Sequence, residues 1–540
     1  MKPQKPPTIF FSKIGAKLYK GNIFILVITI IVFCISYVII TKEVKVDKIE
    51  DCPQFDIDEA HKISETFYWH LIVQEKDIHN RAWEEDFYAR TNPPVGKYIF
   101  GAVLAANHQQ IKNLKLQYEF ERLWRDGESL RKLVPDQMLL LTRMTSAFFG
   151  ALTATFMFLV GYLSFGWCAG VVAAVFFLAH PAILHIVRLG LYDSINATFL
   201  VLFALVCYKS SSSFSSFFDK NVHVRSAGKF LWWSVLVPAL VMALAMGTKM
   251  NSFVLVPGYV CFVLLMFYST SDIGSPVYRT VTAAATISIV MLLCCSLFIA
   301  INPYYYTNPA GNLANMLKLS HDWTVKQQLE PGGGLFTIAE RFSFVGVFTL
   351  KSSELPLYKL FGMPGSWLGI LLFLTGLSAL FHHSGITQMV AGADAAECEA
   401  RRCWSFVLLA WVGASLVGTI LWLPLVWTRF LVTPYIAVCI ASAVGSAKIV
   451  AVIARLIRTL CLARRVADVF GSWIPSTQRK PHMALRALFH KEAIVQCMVI
   501  FVLWVIHLLD HQPKPGEPSS LYWSDLRTIR MEQMVLFCSF

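Results

Sequence analysis

The 540-residue chain is 56% hydrophobic and only 15% charged, which places several runs in lipid and leaves no room for a soluble domain of any size. Its formal charge of +13 would suit nucleic acid, but Lys and Arg fall mainly between the apolar runs, the positive-inside pattern of a membrane topology, so no nucleic-acid partner is expected. The 13 cysteines lie mostly inside apolar runs, as Cys294 and Cys295 do, with no CxxC pair or metal-ligand spacing; they read as small packing residues.

The first apolar run, 21–40, follows Lys2, Lys5, Lys13, Lys17 and Lys20 and lacks a small-residue cleavage site, so a retained signal anchor is expected. Further runs of spanning length follow at 138–163, 168–187, 189–208, 230–247, 253–268, 281–301, 367–381, 403–422, 430–444 and 493–509. The expectation is an all-α polytopic membrane protein of about eleven transmembrane helices. A cytoplasmic N-terminus puts the Ser-rich connection at Lys209 and the Arg-rich stretch after Lys448 on the same side. Three segments then face outward: 41–137, 302–364 and the tail after the last helix. The organisation expected is a catalytic module over 1–447, a basic cytoplasmic amphipathic segment over 448–492 lying against anionic lipid, and a last helix with its outer tail over 493–540.

Ionisable residues at the ends of apolar runs gather on the outer face: Asp58, Glu59 and Lys97 in the first outer loop, Arg143, Arg188 with Asp193, Lys249, and Arg429. Any one of them is explained by snorkelling or by helix capping. Arg143, about five residues or roughly 7 Å inside its helix, is harder to explain that way. Their convergence favours a pocket for a phosphate-bearing lipid, since Arg and Lys give phosphate charge-assisted hydrogen bonds.

Within QFDIDEAHK, Asp56 and Glu59 fit a D-x-x-E capping box, and Ile63, Phe67 and Leu71 recur every four residues, predicting an amphipathic helix along the membrane surface. The box does not need Asp58, which makes it the better catalytic candidate of the acidic pair. In ARTNPPVGKYIFG, two prolines lead into a short apolar helix, and Lys97 near its N-terminus suits a bound phosphate.

Taken in order, the acidic pair Asp58–Glu59, PPVGK at 93–97, RLGLYDS at 188–194, GTKM at 247–250 and WTRFLVTP at 427–434 resemble the protein O-mannosyltransferases and their bacterial relatives, the aminoarabinose transferases that modify lipid A. The resemblance runs from about residue 21 to 443 and implies the C-type glycosyltransferase (GT-C) fold. It further implies an inverting enzyme that uses a sugar on a polyprenyl or dolichyl phosphate, with Asp58 taking the proton of an acceptor hydroxyl. Donor phosphate would lie against Lys97 and Arg143 first, with Lys249 and Arg429 behind them. Asp193 would orient Arg143 or Arg188 or meet an acceptor group, with a paired structural carboxylate as the alternative.

The large luminal insertion of the eukaryotic mannosyltransferases has no counterpart, because 302–364 is too short for a separate β domain. This tilts the expected location to a bacterial inner membrane rather than endoplasmic reticulum, with the site on the periplasmic or luminal side. In that segment His321 and Asp322 suit an acceptor or a divalent metal ion, or simply a solvated loop, and Glu330 with PGGG suits a segment closing over the site. No cofactor is demanded, and a divalent ion stays open. Mannose, another hexose or an aminosugar, and protein Ser/Thr, lipid A or a glycan as acceptor, all remain compatible. A membrane transporter or a lipid-handling protein without catalysis is the alternative; a transporter would place ionisable groups near the midplane of two related halves, and neither feature is found.

Overall fold

The structure is a computed structural model, in which residues 8–42, 44, 56–113, 131–217, 224–269, 275–329, 334–350, 365–385 and 395–471 are described. The apolar runs become helices because a backbone in lipid must satisfy its own hydrogen bonds. Helix α1 (Thr8–Thr41) is followed by the first long connection, expected to face outward, where α2 (Ile57–Ser64) and α3 (Val95–Ala106) are the main elements. Helices α4 (Asp136–Phe165), α5 (Trp167–Ala179), α6 (Pro181–Arg188) and α7 (Asp193–Phe217) follow. Next come α8 (Val237–Thr248), α9 (Leu255–Ser269) and α10 (Pro276–Ala300). The second outer loop carries α11 (Pro309–Gln328) and α12 (Ile338–Leu350), and α13 (Gly365–Gly385), α14 (Ala395–Trp422) and α15 (Val432–Gly471) complete the bundle.

Among the described residues, eight helices are long and apolar enough to cross a membrane, and α5 with α6 makes a ninth if the bent pair counts as one. The chain is an integral multi-pass membrane protein, all-α, with an isolated bridge between Gly334 and Leu425 as its only extended pairing among those residues. The expected span over 168–187 is not straight: Pro181 cannot continue the helix from His180, and α6 turns by 77° from α5. The expected span over 367–381 lies within α13, and the one over 493–509, with the tail, lies outside the described residues. The boundary expected at 447 falls inside α15, whose 40 residues run unbroken past Lys448.

Close packing of α13 on α15 depends on two glycines. A Cβ on Gly376 would lie 1.8 Å from the Ala441 carbonyl oxygen, and one on Gly445 would lie 1.9 Å from that of Leu372. In the first outer loop, Ile63 of α2 is buried with Leu104 of α3 and Met138 and Leu139 of α4, while Leu71 is buried with Tyr68 and Trp83. The expected amphipathic helix is broken after Ser64, with Phe67 and Leu71 on separate short turns, and Ile63 and Leu71 are buried on the protein rather than resting on lipid.

Candidate active site

Helix α2 starts with the expected capping box: Asp58 N–H donates to Asp56 Oδ1 at 2.9 Å, and Asp56 N–H donates to Glu59 Oε2 at 3.2 Å. Glu59 is fully buried and accepts far more than the box requires. Arg143 donates to it bidentately, Nε to Oε1 at 2.8 Å and Nη2 to Oε2 at 2.7 Å, and the Gly190 N–H adds a bond to Oε1 at 2.6 Å. A side chain at Gly190 would meet Thr142 Oγ1 at 2.8 Å and Glu59 Oε1 at 3.2 Å, so the glycine is what lets that backbone approach. Glu59 thus ties α2 to α4 and to the α6–α7 turn. Its lone pairs are occupied by these donors, and Arg143, expected on the donor phosphate, has its fork on this carboxylate.

Lys97 is also placed differently from the expectation. Its side chain is fully buried; Nζ donates to the Tyr88 carbonyl at 2.9 Å, lies 3.7 Å from Glu65 Oε2 and sits 4.6 Å above the Tyr68 ring. Burial pulls its pKa down to about 8, against the opposing pull of Glu65 and Asp86. Glu65, equally buried, also accepts from Lys62 Nζ at 2.8 Å and Asn92 Nδ2 at 2.9 Å. Neighbouring His61, which approaches the Tyr88 hydroxyl at 3.2 Å, is driven down to about 2 by burial, with Lys62 adding to it, and so stays neutral. Burial also raises Asp86, which accepts from the Tyr68 hydroxyl. These groups form an internal polar network, closed to a lipid-linked phosphate as it stands.

The open part of the face is built from the other candidates. The Asp58 side chain, 31% exposed, accepts from Arg429 Nη1, and Arg429 is 22% exposed. A 3₁₀ turn, Thr428–Leu431, presents Arg429 just before α15, with its guanidinium 4.2 Å above the Trp427 ring. Trp427 and Phe430 stack at 5.6 Å and 13°, and the Phe430 centroid lies 5.8 Å from both Arg429 Cζ and Lys249 Nζ. Lys249, 20% exposed, pairs at 2.5 Å with Asp193 at the start of α7. The structure thus brings the part-exposed Asp58, Arg429 and Lys249 around an aromatic pair, with Asp56 also near Arg429, and orders the cations opposite to expectation: Arg429 and Lys249 are part-exposed, Arg143 and Lys97 are buried.

The remaining candidates divide. Asp193 is paired with Lys249 rather than with Arg143 or Arg188, and Arg188 Nε donates to the Ile40 carbonyl at 3.3 Å, tying α6 to the end of α1. His321 is exposed on α11. Sequence reasoning passed over Trp427 and Phe430 as site residues, although both stand inside WTRF beside Arg429. It also passed over His185, which is exposed on α6 within electrostatic reach of Asp56, Arg188 and Arg143. In the sequence His185 lies inside an apolar run of spanning length, which hides it. No group of three or more His, Cys, Asp or Glu side chains among the described residues is placed to hold a metal ion.

The second outer loop is laced to the connection that carries Trp427 and Arg429. Leu335 N–H and Gln328 Nε2 both donate to the Pro424 carbonyl, at 2.9 and 3.0 Å, and Arg341 Nη1 donates to that of Leu421 at 2.7 Å. Glu330 and the glycines after it, expected to close over the site, lie outside the described residues except for Gly334.

No family model and no curated protein matches the chain. Among solved structures it is similar to the archaeal oligosaccharyltransferase AglB from Archaeoglobus fulgidus in complex with an inhibitory peptide and a dolichol-phosphate, at 14% identity and a TM-score of 0.42, over 89% of this chain and 56% of that one. It is also similar to the Archaeoglobus fulgidus oligosaccharyltransferase tethered to an acceptor peptide with the NVT sequon, at 12% identity and a TM-score of 0.41, over 93% of this chain and 57% of that one. The chain spans less than two thirds of either neighbour, and likeness at this level carries no weight in the reading of the site.

Proposed function

We propose that the chain is an inverting glycosyltransferase of the GT-C class, moving a sugar from a polyprenyl- or dolichyl-phosphate donor to a hydroxyl or phosphate acceptor on the outer membrane face. The observation that carries this reading is the part-exposed pair of Asp58 and Arg429 beside the part-exposed Lys249, whereas Arg143 and Lys97 are held in buried pairs with Glu59 and Glu65.

Each group has a task in the transfer. The acceptor oxygen attacks the anomeric carbon as Asp58 takes its proton; the bond from that carbon to the phosphate oxygen breaks, and its electron pair leaves with the polyprenyl phosphate. Attack and departure on opposite faces invert the anomeric configuration. Arg429 and Lys249 bind the leaving phosphate, where charge grows during the step and fixed cations act most strongly. Asp193 positions Lys249, and Glu59 with Arg143 positions the helix that presents Asp58. Arg188 supports the α6–α7 turn, and His185 and His321 stand on the side open to an acceptor. Apolar α1, α10 and α14 surfaces give membrane lipids and the polyprenyl tail their contacts, and a bacterial inner membrane suits the short second outer loop.

Mass spectrometry of surface glycans from a deletion strain tests the reading and identifies sugar and acceptor together. A defined sugar should be lost, restored by the wild-type gene and not by Asp58→Asn at equal abundance. An unchanged glycan profile in the deletion strain, or full restoration by Asp58→Asn, contradicts it.

A further inference from the structure

Two carboxylates stand side by side at the start of α2, each paired with an arginine, and the pairs are built in opposite ways. Glu59–Arg143 is buried and bidentate and holds a third donor, the Gly190 N–H. Asp58–Arg429 is partly open to solvent and rests on one nitrogen and one oxygen. Arg429 does not depend on Asp58 for its place, because Trp427 carries the flat face of the guanidinium and Phe430 flanks it. An arginine held by its face keeps the N–H groups on its edge free to change partner. Lys249 Nζ lies 5.8 Å from the same Phe430 centroid, so both cations border one ring.

On the glycosyltransferase reading above, this arrangement has a consequence for the order of events. We propose that Asp58 and Arg429 form an exchangeable pair: the donor phosphate draws Arg429 off Asp58, so the base is uncovered only when the donor is seated and the acceptor must enter second. Without donor, Asp58 Oδ2 accepts from the guanidinium, and the cation beside the carboxylate makes it a weaker base toward an acceptor hydroxyl. With donor, the phosphate oxygens take the N–H groups of Arg429, and Asp58 turns to the acceptor. The aromatic seat holds Arg429 in place through the exchange, and the locked Glu59–Arg143 pair keeps α2 fixed beside it.

The exchange predicts that removing the Asp58 carboxylate strengthens phosphate binding while it stops transfer. Binding of a polyprenyl monophosphate to the full chain in lipid nanodiscs, against the phosphate-free polyprenol, measures this for wild type, Asp58→Asn, Asp58→Ser, Arg429→Gln and the double variants. Both Asp58 variants should bind the phosphate about ten-fold tighter, the factor expected when one charge-assisted partner no longer has to be displaced. Arg429→Gln should bind it more weakly, and in that background the Asp58 substitutions should change nothing; Arg429→Met serves if Arg429→Gln does not accumulate. Unchanged or weaker binding in both Asp58 variants overturns the exchange. The same gain in the absence of Arg429 also overturns it, since simple charge repulsion would then be the cause. These outcomes separate from failure of the functional reading: sugar transfer by Asp58→Asn at the wild-type rate removes Asp58 as base, whereas an inactive Asp58→Asn with unaltered affinity removes only the exchange.

Discussion

Asp58 and Glu59 are chemically near-identical and adjacent, yet their surroundings give them different work. Glu59→Gln breaks the buried bidentate pair with Arg143 and is expected to cost about 3–5 kcal/mol of stability; thermal unfolding of the purified protein measures it. Asp58→Asn acts at a part-exposed site and should stay within about 0.5 kcal/mol of wild type in the same experiment. Lys97 provides a third test at this scale. Its pKa is near 8 in the folded chain and 10.5 for the ordinary side chain, so between those values the unfolded chain binds the extra proton and stability rises with pH. Lys97→Met should remove that rise, seen as a smaller difference in unfolding midpoint between pH 8 and pH 10.5 than in wild type. The capping box was legible in D-x-x-E because its partners are three residues apart. The burial of Lys97 was not, because it depends on Glu65, Tyr68 and Tyr88 folding around it, and sequence shows a lysine near a helix start without showing what closes over it.

At the scale of elements, hydropathy located the membrane helices because lipid demands long apolar runs, whereas their internal geometry followed from single residues. Pro181 turned a continuous-looking run into two helices and left His185 exposed on the second, and only the structure shows that bend. Gly376 and Gly445 set the distance between α13 and α15, and α15 begins just after the turn that holds Arg429. Gly445→Val pushes a side chain into the Leu372 carbonyl and is expected to cost about 1–3 kcal/mol, typical of overpacking. A lowered melting temperature accompanied by weaker donor binding is the expected result, since the displaced helix carries the Arg429 turn with it.

For the whole molecule, the eight or nine spans among the described residues and the basic connections between them predict a topology with the charged pocket on one side. That arrangement is tested by labelling with a membrane-impermeant maleimide: His321→Cys should react in intact cells, and Lys209→Cys, at the opposite end of the bundle, only after permeabilisation. The reverse pattern would place the site on the cytoplasmic face. That charges gather at one end of the apolar runs was legible in the sequence, because each ionisable residue at the end of such a run is conspicuous. Which of those charges remain available was not visible there, since an acid and its arginine can be as far apart in the chain as Asp58 and Arg429.

The most direct measurement is the initial rate of sugar transfer by Asp58→Asn, assayed in membranes at wild-type abundance with the donor identified by glycan mass spectrometry. A fall of about 10²- to 10⁴-fold with an unchanged melting temperature is the predicted result for loss of a general base. Transfer at the wild-type rate would contradict the assignment of Asp58 and with it the catalytic reading of this site.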